Sequence, residues 1–333
     1  MHRTVTVMGQ CLAGILSLTV ILSASGCKDA GSISEGPQVR LSSLSVSEPG
    51  LQPAFSSAIT TYTLHVPPTV ASVTVTATPE NSSTNITIDG TPTRSLSKPL
   101  NNPGLDTLII ITLTEQSGSQ SPYVITVHRD NNILSNLTVS SGSLTPGFSP
   151  GTLNYAVDVA TDASSLTVTA TVQDSNASLM INGQGISSGQ PREISPLAPP
   201  GSNTLITILV QTPSGAEKTY TVTVKRPLPS SNAALSALTV TAGTLNPGFA
   251  AGTLNYTVTV PASVDSLTVT ATKSDLNAVM SAAGSVIASA GVLTGSVSSS
   301  LGLGTTTLFT ITVIAQDGVG TRPYTINVFR DAR

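Results

Sequence analysis

Apolar residues alternate with Thr and Ser along most of this chain, and the alternation returns three times in the same order. Tyr62/Leu64/Val66, Val73/Val75/Ala77, Ile109/Ile111/Leu113 and Tyr123/Ile125/Val127 are each spaced two apart, with mostly Thr between them. A period of two sends alternate side chains to opposite faces of a strand, so each run predicts one face in a core and the other in water. Strands of that kind belong to antiparallel sheets packed face to face. After residue 27 no segment carries the 3.6-residue period of a helix.

The three copies share more than alternation. Each opens on Leu-x-x-Leu-x-Val, at Leu41 to Val46, Leu134 to Val139 and Leu235 to Val240. A Pro-x-Phe follows, ending at Phe55, Phe148 and Phe249, and a Tyr stands seven residues later, at Tyr62, Tyr155 and Tyr256. Val73 to Thr78, Leu166 to Thr171 and Leu267 to Thr272 then read as Val/Leu-Thr-Val-Thr-Ala-Thr, and each copy closes on Tyr-x-x-x-Val-x-Arg, ending at Arg129, Arg226 and Arg330. Asp89-Gly90 and Asn182-Gly183 sit between extended runs, where a two-residue hairpin loop needs positive φ. About seven strands in units of roughly 90 to 96 residues predict an all-β chain of three tandem immunoglobulin-like antiparallel sandwiches. The units are 41–129, 134–226 and 235–330, each large enough to bury a core of its own, joined by linkers too short for free tumbling.

The first 27 residues differ in kind. Arg3 is their only charge, the stretch from Val5 to Leu22 is largely apolar, and Ala24-Ser25-Gly26 precedes Cys27. A basic start, an apolar middle and small residues before a cut describe a secretory signal over 1–26. Cys at the first mature position makes it resemble a bacterial lipoprotein signal, which implies lipidation of Cys27 and a tether over 27–40; Ala24 stands where that family usually has Leu. The alternative is an uncut membrane-spanning helix over 4–26, although Thr4, Thr6, Gln10, Ser17, Thr19, Ser23 and Ser25 dilute its apolarity. Cleavage would remove Cys11 and lipidation would consume Cys27, so the mature chain would have no disulfide and would rely on core packing.

Composition then excludes several functions. Charged residues are 9%, against about a quarter in ordinary domains. Without Arg3 the chain has 13 basic and 17 acidic side chains, a net charge of −4, and neither a basic stripe nor a Lys/Arg run that would suit nucleic acid.

The opening Leu-x-x-Leu-x-Val, the Pro-x-Phe turn, Leu-Asn-Tyr at 153–155 and 254–256, the hairpin Gly and the closing Tyr-to-Arg motif together resemble the bacterial cadherin-like β-sandwich domain. The resemblance covers essentially everything after the leader, three times over. It implies a seven-stranded sandwich of surface and cell-wall proteins, often beside carbohydrate-active modules, from which company a carbohydrate-binding role is inferred. No such module occurs within these 333 residues.

Candidate chemistry is sparse. His65 and His128 are the histidines after the leader; Asp158 and Thr259 match the first, Lys225 and Phe329 the second. Both project opposite the Tyr-containing stripe, which predicts surface polar side chains and no catalytic base. There is no Gly-x-Ser-x-Gly elbow, and Gly183-Gln-Gly185 follows a strand and opens no helix, so it reads as a turn and not a phosphate cradle. Asp130-Asn131-Asn132 lies at a unit boundary, where true cadherins cluster acids for calcium. One carboxylate is too few for a cation that takes six to eight oxygens, so the run reads as an Asx-rich turn, with no metal and no cofactor expected. The Tyr rings and Phe55, Phe148, Phe249 and Phe309 fall at core or core-edge positions, leaving Phe329 as the candidate exposed ring for a sugar.

The expectation is a non-catalytic cell-envelope lipoprotein acting as a surface spacer or adhesive stalk. It would be held to the membrane by its lipid and meet a surface protein or glycan through loops or sheet edges. The alternative is a carbohydrate-binding surface module. Lys28, in place of the Asp that favours inner-membrane retention in some bacteria, leans toward the outer membrane or cell surface.

Overall fold

A computed structural model describes residues 39–333; the leader and Cys27 lie outside the described residues. The first unit contains β1 (Leu41–Val46), β2 (Thr61–Val66), β3 (Ser72–Pro79), β4 (Asn85–Ile88), β5 (Ser95–Pro99), β6 (Leu105–Thr114) and β7 (Gln120–Arg129). The second contains β8 (Leu134–Val139), β9 (Asn154–Asp158), β10 (Leu166–Val172), β11 (Ser178–Ile181), β12 (Gln184–Ile186), β13 (Pro191–Ile194), β14 (Asn203–Gln211) and β15 (Glu217–Lys225). The third contains β16 (Leu235–Val240), β17 (Asn255–Val260), β18 (Ser266–Lys273), β19 (Val279–Ala282), β20 (Ser285–Ala288), β21 (Thr294–Ser300), β22 (Thr306–Ile314) and β23 (Thr321–Arg330).

Each unit stacks two sheets. In the first these are β1-β3-β5 and β2-β7-β6-β4; the later units repeat the plan as β8-β10-β13 with β9-β15-β14-β11-β12, and β16-β18-β21 with β17-β23-β22-β19-β20. The alternating residues meet between the sheets: every member of the four runs of the first unit, from Tyr62 to Val127, is at most 2% exposed. Three separate apolar clusters result, one per unit.

Two features differ from the expected pattern. The later units have eight strands, because the chain continues as β12 and β20 after the turns at Asn182-Gly183 and Ala283-Gly284, whereas the first unit makes only the bridge Ile88–Thr91. Pro92 follows that bridge and has no N–H to extend the ladder. The turns themselves take the positive φ their sequence requires, at Asp89 (49°) and Gly90 (77°), Asn182 (50°) and Gly183 (72°). Secondly, β2 and β7 pair in parallel, as do β9 and β15, and β17 and β23. Parallel neighbours need a long crossover, and the intervening strands of each unit supply it.

The repeated Tyr and Arg residues have repeated structural work. The hydroxyls of Tyr123, Tyr220 and Tyr324 accept the buried N–H of Leu41, Leu134 and Leu235 at 3.2, 3.1 and 3.0 Å, tying the first strand of each unit to the opposite sheet. Arg129, Arg226 and Arg330 donate through Nε to the carbonyls of Pro68, Thr161 and Ala262. Phe55, Phe148 and Phe249 stack on Tyr62, Tyr155 and Tyr256 with centroids 6.3, 6.2 and 6.4 Å apart. A charged side chain breaks the apolar rule in the third unit: Lys273 is 1% exposed, donates to the carbonyls of Ala278 and Ser289, and has its pKa lowered by burial.

Candidate functional site at the first unit junction

The parallel pairing of β2 with β7 sets His65 directly beside His128, and the antiparallel pairing of β6 with β7 sets Asp106 on the other side of His128. These three residues therefore form a row across the outward face of one sheet. The two imidazole centroids are 5.2 Å apart. Just after β7 the chain turns, and the N–H of Asp130 donates to the carbonyl of Val66, which brings the Asp130 carboxylate back to His65: Nδ1 of His65 is 2.8 Å from Oδ1 of Asp130.

Residues of the second unit complete the arrangement. Oδ2 of Asp130 accepts the backbone N–H of Ser214 at 2.8 Å. His128 has a carboxylate on each nitrogen, with Asp106 Oδ1 at 2.6 Å from Nδ1 and Asp174 Oδ2 at 2.9 Å from Nε2. The same Asp174 oxygen accepts the N–H of Asn131 at 3.0 Å, and its Oδ1 accepts the N–H of Asn176 at 2.9 Å. Asn132 Nδ2 donates to the carbonyl of Glu217. Burial alone would lower the His128 pKa, but the hydrogen bonds to Asp174 and Asp106 outweigh it and raise it above the ordinary value. For Asp174, burial pushes up, and the bonds from His128, Asn176 and Asn131 outweigh that and lower its pKa.

The expectation that both histidines are surface polar residues is corrected here. Their side chains do leave the sheet on the side opposite the core stripe, yet loops of the second unit close over that side, leaving the His128 side chain 12% exposed and that of His65 35%. The Asx run between the units is buried, Asp130, Asn131 and Asn132 being 0%, 5% and 8% exposed, and it bridges two units. An Asx turn is part of it, with Asn131 Oδ1 accepting the N–H of Ile133. Sequence carried one usable signal, the replacement of His65 and His128 by unrelated residues in the other copies. It could not show that a β2–β7 pairing and a neighbouring unit gather them. Elsewhere, Phe309 is buried as expected, and Phe329 is 40% exposed on the outer face of β23.

Beside His65 an open cleft of about 470 Å³ lies between the two units, lined by Glu48, Gln52 and Pro67 on one side and Pro213 and Ser214 on the other. Among the described residues no helix is long and apolar enough to cross a membrane.

The family profile named Cadherin-like beta sandwich domain matches residues 41–130, 134–227 and 235–331. The chain belongs to that family. Among curated proteins, this cadherin-like chain is 35% identical over 114 residues to an Evansella cellulosilytica protein described as a predicted membrane protein; the match takes in 34% of this chain and 17% of that relative's length. Among solved structures it is similar to a 1.5-MDa bacterial ice-binding adhesin, at 15% identity and TM-score 0.33, covering 80% of this chain and 93% of the other. It is also similar to cadherin domains 3–6 of protocadherin gamma B2, at 11% identity and TM-score 0.31, covering 82% and 72%.

Proposed function

We propose that this chain is a non-catalytic lipoprotein of the cell envelope whose three cadherin-like sandwiches serve as a surface spacer or adhesive stalk. The observation that carries the reading is the unbroken run of three family units over 41–331, each with its own apolar cluster. Cys27 behind Ala24-Ser25-Gly26 supplies the lipid anchor, with the outer membrane or cell surface as its destination and a surface protein or glycan as partner. The histidines are engaged in the contact between units, since both nitrogens of His128 and Nδ1 of His65 face carboxylates of the junction. The glycan-module alternative is weaker: of the eleven Tyr and Phe rings, Phe329 alone is exposed, and sugar sites commonly offer aromatic platforms.

Two measurements test the reading. Cys27→Ser should abolish labelling of the protein by a fatty-acid analogue in cells, and persistent labelling would sink the anchor. The soluble fragment 31–333, screened against whole cells and a glycan array, should bind cells and lose binding when one unit is deleted. Selective glycan binding that disappears with Phe329→Ala would make the sugar-binding alternative the correct one.

A further inference from the structure

We propose that His65, His128 and Asp130 form a binding site for one divalent transition-metal ion, Zn²⁺ in the first instance, at the junction of the first two units. One nitrogen of each ring and one carboxylate oxygen of Asp130 already lie within 4.8 Å of one another. A tetrahedral Zn²⁺ with bonds of about 2.0–2.1 Å needs its donor atoms roughly 3.3 Å apart, so movements of about 1 Å per side chain close the site. Two imidazoles and a carboxylate are donors for a borderline transition ion. A hard ion such as Ca²⁺ would ask for many more oxygens.

Three further observations point to a cation. The carboxylates of Asp106, Asp130 and Asp174 converge here, and the ion pairs they make among the described residues are all with these two histidines, with no Lys or Arg. A dication would compensate that charge and would take the place of the hydrogen bond between His65 and Asp130. The surroundings also hold the donors as metal sites do. Whichever His128 nitrogen turns to the ion gives up its carboxylate, while the other keeps its own, the arrangement that fixes the tautomer and orientation of a ligating imidazole. The second oxygen of Asp130 is pinned by the Ser214 N–H from the next unit. Finally, His65 lines the cleft, so the fourth position would face water or a partner's side chain.

The site is specific to the first junction. Asp158, Lys225 and Pro227 occupy the matching places in the second unit, and Thr259, Phe329 and Asp331 in the third. Because Asp130 also grips the second unit, an ion held here would stiffen the link between the first two sandwiches, a property beyond the proposed stalk role and independent of whether the stalk adheres to anything.

The test is a titration of the chelator-treated full chain with Co²⁺, followed by Zn²⁺ competition. One equivalent of Co²⁺ should give the visible ligand-field absorption of a tetrahedral nitrogen/oxygen centre, and Zn²⁺ should erase it while Ca²⁺ does not. His65→Gln, at a half-exposed side chain that leaves the core alone, should weaken binding at least tenfold, as should His128→Gln. Asp106→Asn should weaken it about tenfold by releasing the supporting bond. Far-UV circular dichroism checks that each variant is folded. No saturable binding by the parent chain would overturn the proposal, as would binding unchanged in folded His65→Gln, which would place the ion away from this junction.

Discussion

Replacing Asp174 by Ala probes the junction without touching either apolar core. Asp174 is 4% exposed and reaches across the boundary twice, from Oδ2 to His128 Nε2 at 2.9 Å and to the Asn131 N–H at 3.0 Å. Truncation removes both bonds, along with the local bond from the Asn176 N–H inside the second unit, and leaves the Asn131 N–H, on a residue 5% exposed, without its acceptor. Hydrogen bonds to charged groups contribute about 1.5–3 kcal/mol each, and the low end applies because His128, with 12% of its side chain exposed, can be rehydrated once the carboxylate is gone. Two such bonds come to about 3 kcal/mol, roughly a hundredfold in the ratio of closed to open junction. Amide hydrogen exchange in metal-free buffer reads this directly, since protection follows the free energy of local opening. The Asn131 amide should exchange about a hundredfold faster, while Ile125 and Val222, in the two cores, keep their parental rates. Unchanged protection at Asn131 would refute the argument. So would equal acceleration at all three amides, because it would mean that Asp174 stabilises the second unit and not the junction.

Other outcomes follow from single contacts. Tyr220→Phe should cost about 1–3 kcal/mol in urea unfolding, because the buried Leu134 N–H loses its acceptor while Pro150 O, on the exposed side, regains water; a loss under ~0.5 kcal/mol would refute the tie. Phe309→Ala should cost about 3–5 kcal/mol by thermal or chemical denaturation, whereas Phe329→Ala, at 40% exposure, should cost well under half as much. Lys273 has a folded-state pKa below its unfolded value of 10.5, so the unfolded chain binds the extra proton between the two, and stability relative to Lys273→Met should rise as pH climbs toward 10.5. A pH-independent difference between the two proteins would contradict the buried, desolvated ammonium.

Strand positions were legible because burial repeats every second residue. Tyr123/Ile125/Val127 announces a half-buried strand whatever lies above it, and the structure buries all three side chains. Asp89-Gly90 was legible for a similarly local reason, since few residue pairs accept two successive positive φ values. Even the missing eighth strand of the first unit has a local cause in Pro92, although the count of about seven passed over the extra strands β12 and β20. Lys273 was not legible, because it stands where Pro79 and Val172 occupy the equivalent place, and only the fold shows two carbonyls waiting for its ammonium.

Alternation, repeats and turns by themselves determined an all-β chain of three sandwiches, since those signals report neighbours close along the chain. The junction was decided by tertiary structure alone. His65 and His128 are 63 positions apart and meet because the first and last strands of one sheet pair in parallel, while Asp174 arrives from a different unit. Periodicity tells which face of a strand turns outward. It does not tell whether outward means water or the flank of the next sandwich, and here that difference turns two outward histidines and an Asx run into a shared polar contact.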